Sequence, residues 1–118
     1  MDARDPERIA AAIAAAERAF AHARDPRVAA DWTTDPLAVD AIAKCVEEVA
    51  ERLVGTERQP GVSKALRAAH PEVPWTTLQR YRAFIVHSYD TVNPARLRAT
   101  LEDEITPLVA DLRRLLDG

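Results

Sequence analysis

Apolar residues in this chain recur every three or four positions and almost never every second one. Ile9, Ile13, Ala16 and Phe20 form one such stripe, and Ile42, Val46, Val49 and Leu53 form a second. Leu78, Ile85 and Tyr89 form a third, and Leu97, Leu101, Ile105, Leu108, Leu112 and Leu115 a fourth. That spacing is the period of a helix that buries one face. The pattern therefore predicts four long amphipathic helices, over about 6–24, 36–54, 74–89 and from 94 onward. A short helix over 62–69 is expected between the second and third.

Proline marks where these segments begin. Asp5-Pro6, Asp25-Pro26, Asp35-Pro36 and Asn93-Pro94 each place a side-chain acceptor before a proline. An N-cap residue followed by proline at the first helical position is a helix start. After Asp25 a short turn of helix or loop is expected through Asp31, and Gly55 can end the second helix. Pro107 falls inside the last stripe. It removes one backbone donor and clashes with the preceding turn, so a kink or break is expected near Thr106. There is no internal repeat, low-complexity linker or strand alternation. The fold class is all-α: a bundle of four long helices plus short pieces, in one domain over 1–118.

Composition agrees with helices. Glycine is scarce, with 3 residues in 118, while alanine and leucine abound. The single cysteine, Cys45, excludes an intrachain disulfide and has no metal-ligand spacing, so no metal or cofactor is expected. A reducing cytoplasm is the simplest compartment. No segment is long enough to span a membrane. The run from Ile9 to Ala16 is flanked by charges of both signs and lacks a cleavage pattern, so it reads as helix and not as a signal sequence.

Charge changes the picture more. The net charge is −3, but it is unevenly spread. Arg58, Lys64, Arg67, Arg80, Arg82, Arg96 and Arg98 face only Glu72 and Asp90 between positions 58 and 98. Those seven cations and two anions make the segment +5, which leaves −8 for the rest. A local basic patch in an acidic protein can hold a phosphate backbone, or it can be a solvated face.

Inside that segment lies Arg82-Ala83-Phe84-Ile85-Val86-His87-Ser88-Tyr89. Arginine presents a planar fork of donors that matches phosphate oxygens. Histidine can take and return a proton near neutral pH. Both suit work on a phosphodiester. Arg82 and Tyr89, seven apart, share a helical face, but His87 is five from Arg82, about 140° away round a regular helix. Either the helix ends near His87, or two copies face each other so that Arg and His from both chains line one cleft.

The spacing Arg-x4-His-x-Tyr resembles the signature of the HEPN superfamily of metal-independent ribonucleases, and the flanks resemble its HepT toxin branch. His70-Pro71-Glu72-Val73-Pro74-Trp75 is similar to that family's "Pro-Glu-Ile-Pro-Trp" start of the motif helix. Trp32-Thr33-Thr34-Asp35-Pro36 resembles its "Phe-Leu-Ser-Asp-Pro" turn. Val46 to Leu53 resembles its "Ile-Gly-Glu-Ala-x-x-x-Leu" helix, and Leu101 to Leu116 its closing "Leu-Pro-x-Leu" helix. The resemblance implies a homodimer with paired motifs at the interface. It implies RNA cleavage by 2′-hydroxyl attack, with Arg82 and His87 catalytic. It further implies a minimal nucleotidyltransferase antitoxin (MntA-like) that transfers AMP to Tyr89.

Other positions carry two readings each. Arg80, one turn before the motif, is a candidate RNA contact or an ordinary exposed cation. Glu48 matches the acidic residue of the family helix, and it either orients an arginine near the cleft or is a solvated charge. His22 and His70 read as structural, Cys45 as a small packed hydrophobe, and Trp32 and Trp75 as core or staple residues. The chain departs from the family at Ala83, where a small polar residue is usual, at Asp90-Thr91-Val92-Asn93 after the tyrosine, and at Glu47, where glycine is usual. A catalytically weak HEPN partner of a nucleotidyltransferase is the alternative function.

Overall fold

The computed structural model describes residues 2–28, 30–87 and 92–118; for 82–87 it describes the helical backbone alone. Among the described residues, six α-helices appear in order: α1 (Asp5–Arg24), α2 (Pro36–Val54), α3 (Lys64–Ala69), α4 (Trp75–His87), α5 (Pro94–Ala99) and α6 (Thr106–Asp117). A 3-10 turn (Trp32–Thr34) precedes α2, and a π-helical segment (Thr100–Ile105) joins α5 to α6. No strand occurs among the described residues.

The four long elements run up and down. Arg18 pairs with Glu48 midway along α1 and α2, while Asp5 at the start of α1 meets Ser63 just past the end of α2. The two helices are thus antiparallel. The α5–π–α6 arm returns along α1, where Arg113 bonds Glu17 at 2.7 Å. Ile9, Ala12, Ala16 and Ala19 of α1 are fully covered, as are Ile42, Val46, Val49 and Leu53 of α2. Alanine side chains let these two helices approach closely, and the larger residues of α2 fill the seam. Leu78, Leu97, Ile105 and Leu112 complete the core. Truncating one of these leucines to alanine removes about 2–5 kcal/mol.

Two of the four proline signals cap helices as expected. The Asp35 carboxylate accepts from the N–H groups of Leu37 and Ala38 at 3.0 and 3.3 Å, and the Asn93 side chain from those of Ala95 and Arg96 at 3.0 and 3.2 Å. The other two do not. Asp25 ends α1 instead of starting a helix, and its carboxylate turns the chain by accepting from Arg27 N–H at 2.9 Å.

Asp5 lies inside α1, whose N-cap is Arg4 without a side-chain bond. Its buried carboxylate reaches across the fold, accepting from Ser63 N–H at 2.8 Å, Ser63 Oγ at 2.6 Å and Asp2 N–H at 2.9 Å. Ser63 Oγ in turn accepts from Leu66 N–H at 3.2 Å, capping α3. Burial alone would raise the Asp5 carboxyl. The bonds from Ser63 and Asp2, with Arg8 nearby, outweigh it and hold the group below the ordinary 3.8.

The break expected near Thr106 falls in the turn before it. Proline at 107 has no N–H and crowds the carbonyl four residues back. The wider π turn over Thr100–Ile105 absorbs that crowding: Thr106 N–H and Oγ1 both donate to Leu101 C=O, the latter at 3.1 Å.

Candidate functional site

The start of α4 is fixed by a short knot. Trp75 Nε1 donates to His70 C=O at 3.0 Å, His70 Nδ1 lies 3.0 Å from Glu72 Oε1, and Leu78 N–H takes up Pro74 C=O at 3.0 Å. Trp75 is therefore a staple and His70 a structural residue, as their sequence settings imply. From this anchor α4 runs toward the end of the bundle where α5 begins. As described, α4 ends at His87, and positions 82 and 87 lie about 140° apart around its axis. The side-chain roles expected of Arg82 and His87 lie outside the described residues, as do Tyr89, Ala83 and Asp90.

Arg80 is described in full and is exposed. Seven residues separate it from position 87, which puts the two about 20° short of two whole turns, along one edge of α4. Arg80 borders a cavity of about 380 Å³ between α4 and the α5–π arm. Thr77, Arg80 and Tyr81 line one wall, and Arg96, Asp103 and Glu104 the other. The π turn sets this second wall, because it rotates Asp103 and Glu104 relative to α5. π turns are found disproportionately at functional sites.

Tyr81 is the unusual member. Its hydroxyl is buried and makes no hydrogen bond of good geometry. Burial first, and then the nearby Glu104 carboxylate, push the phenol well above its ordinary 10 and keep it protonated. A buried donor without a partner is costly and rare, so its position at a polar cavity marks the place where a ligand atom or water can be held. Sequence reasoning did not single out Tyr81, Asp103 or Glu104. Their only signal was tyrosine at a buried helical position, facing an acidic pair just before Pro107.

Glu48 is half-buried on α2 and is held by two arginines: it pairs with Arg18 and accepts from Arg52 at 3.5 Å. These arginines belong to α1 and α2, and neither lines the cavity beside α4. Trp32 packs in the core with the Arg98 guanidinium 5.8 Å from its ring centre, and Arg98 also pairs with Asp31. Cys45 is buried, which raises its thiol. Among the described residues, no three His, Cys, Asp or Glu side chains gather as a metal-ion ligand set. No described helix is long and apolar enough to cross a membrane.

The family model described as Ribonuclease HepT-like matches residues 9–115, from the first core residue of α1 to the last of α6. The chain belongs to the HepT-like ribonuclease family. No curated protein and no solved structure matched. The HepT-like match covers every element that frames the cavity and the whole Arg-x4-His-x-Tyr segment.

Proposed function

We propose that this HepT-like chain is a toxin endoribonuclease that cleaves RNA without a metal ion and acts in the cytoplasm. The observation that carries the reading is the Arg82-x4-His87-x-Tyr89 spacing inside a chain matched to a ribonuclease family over nearly all its length. His87 takes the proton of a ribose 2′-hydroxyl as its oxygen attacks the adjacent phosphorus. The bond from phosphorus to the 5′-oxygen breaks, and that oxygen receives a proton. The products are a 2′,3′-cyclic phosphate and a 5′-hydroxyl. Arg82 stabilises the extra negative charge on the pentacoordinate phosphorus, where fixed donors act most strongly.

Helix geometry supports a homodimer. One regular helix holds positions 82 and 87 about 140° apart, so paired copies of α4 would supply Arg and His to a common cleft. Arg80, on the edge of α4 that position 87 shares, is a contact for the neighbouring RNA phosphate.

Regulation follows from Tyr89. Its phenolic oxygen attacks the α-phosphorus of ATP in the active site of a minimal nucleotidyltransferase antitoxin (MntA-like), and pyrophosphate leaves. The AMP so attached adds bulk and negative charge beside a site that receives phosphates, and closes it to RNA.

The deciding experiment is RNA cleavage in EDTA by wild-type protein and His87→Ala, with analysis of the ends. Cleavage with cyclic-phosphate ends, absent from the variant, is expected. Cleavage by the variant at the wild-type rate would overturn the assignment. The departure at Ala83 favours a second reading, a catalytically weak HEPN partner of the nucleotidyltransferase. Tight binding to that partner, with no RNA cleavage by unmodified wild-type protein, would establish it.

A further inference from the structure

A second cavity lies at the other end of the bundle, where α1 begins and α2 ends. It has a volume of about 360 Å³, and Arg4, Arg8, Lys64 and Arg67 all line it. Arg4 and Arg8 also line an adjoining cavity of about 250 Å³ beside Pro60, together with Arg52. Among the described residues, no carboxylate forms an ion pair with Arg4, Arg8 or Lys64. The acids nearby are engaged or outnumbered. Asp5 is buried and committed to Ser63 with Arg8 nearby, Asp2 is the one carboxylate that lines the cavity and accepts from the Arg4 N–H at 2.8 Å, and Glu51 borders only the adjoining cavity. Four cations around one concavity are unexpected in a chain of net charge −3.

Arg67 adds an independent sign. Its Nη2 reaches the last carbonyls of α2, at 3.5 Å from Leu53 O and 3.3 Å from Val54 O, while its Nε is buried without a partner. Arg67 thus has guanidinium donors beyond those spent on α2, and its side chain lines the cavity.

The opposite wall is rigid. Gly55 has φ +84°, and a Cβ on Gly61 would lie 2.3 Å from Leu53 O and 2.6 Å from Gly55 N, so the loop is folded back on itself at a spacing only glycine allows. Thr56 N–H to Gln59 O at 2.7 Å and Val62 N–H to Leu53 O at 3.0 Å close it. The concavity is formed before any ligand arrives.

We propose that this cavity is a phosphate-binding exosite, built by Arg4, Arg8, Lys64 and Arg67, that holds the backbone of an RNA strand away from the motif. α4 runs away from this end, so a strand engaged at both places follows the 41 Å length of the molecule. Phosphate contacts of this kind position a strand without reading its sequence. A free phosphate monoester offers the same oxygens, and the test separates the two sources.

The test uses the full chain, its backbone amides followed by NMR, with two probes. One is inorganic phosphate at constant ionic strength. The other is a fully 2′-O-methylated oligoribonucleotide long enough to run the length of the molecule, which offers no 2′-hydroxyl for attack. Binding is therefore read whether or not the chain is a ribonuclease. Both probes should shift the amides of residues 55–64. In the variant Arg4→Gln/Lys64→Gln, whose two side chains are exposed, the slope of log affinity for the oligonucleotide against log salt should become shallower by about 0.7 per phosphate lost. Arg8→Gln should act in the same direction. Shifts with phosphate but none with the oligonucleotide would assign the cavity to a free phosphate monoester and overturn the RNA exosite. Shifts with neither probe, or a variant slope equal to wild type, would overturn the site altogether.

Discussion

Two buried oxygens, one toward each end of this bundle, are treated in opposite ways. Where α1, α2 and α3 meet, the Asp5 carboxylate is buried, accepts three hydrogen bonds and ties together segments 58 residues apart. Along the α4 edge, Tyr81 is also buried, but its hydroxyl has no hydrogen bond of good geometry, and the cations and carboxylates around it line an open cavity. A satisfied buried network rigidifies a fold, whereas an unsatisfied one leaves valences for something else. The Asp5 network secures the scaffold from which α4 projects, at the end that also carries the arginine-lined cavity, and the Tyr81 wall is a second place where the chain can meet a ligand.

Substitutions at the two places should therefore separate activity from stability. The largest effect is expected from His87→Ala, which should lower RNA cleavage by roughly 10²–10⁴-fold, the range for a general acid–base residue, and leave Tm unchanged. Single-turnover cleavage with thermal melts of the same samples measures both. A variant that melts early would mean that His87 belongs to the scaffold and not to the chemistry.

Asp5→Ala should do the reverse. Losing a buried charge-assisted acceptor for Ser63 should destabilise the protein by about 2–3 kcal/mol, while cleavage per folded molecule is retained. The same carboxylate makes stability depend on pH. Its folded-state pKa lies below the ordinary 3.8. The ionised form is thus the one folding favours. This contribution is complete above the unfolded-state value and disappears as the pH falls through the lower folded value. Urea titrations of wild type and Asp5→Asn should diverge on going from strongly acid solution to pH 5. Parallel curves across that window would deny Asp5 its role.

Arg80→Gln probes the α4 edge more gently. Loss of one phosphate contact made equally in the ground and transition states should raise KM roughly fivefold, about 1 kcal/mol, with kcat nearly constant. A fall in kcat alone would instead place Arg80 among the groups that act on the transition state.

The helical plan was legible because each helix has an amphipathic stripe and two starts have a capping side chain followed by proline. α2 begins at Pro36 and ends at Val54, where the Asp35 cap and Gly55 indicate. Local pattern misled at Asp5, because nothing within a few residues reveals that its partner is Ser63. Pro107, by contrast, marks the break in the last helix from sequence alone, and the π turn just before it is the form that break takes. The site divides in the same way. Arg82, His87 and Tyr89 stand out by their spacing in the sequence, whereas the cavity joins Arg80 to Arg96 and Tyr81 to Glu104, pairs that only the return of the α5–π arm brings together.

The smallest expected effect is the most direct test of the contrast between the two ends. If the Tyr81 hydroxyl is unsatisfied in the free protein, Tyr81→Phe removes a desolvated donor and keeps the ring in the core. Stability should then stay level or rise by up to about 1 kcal/mol, the opposite of Asp5→Ala although both remove a buried oxygen. Chemical denaturation with a two-state fit resolves a difference of that size when the slopes agree. A loss of more than about 1 kcal/mol would show that the hydroxyl is bonded in solution, by Glu104 or an ordered water, and that the cavity wall is as fully satisfied as the network around Asp5.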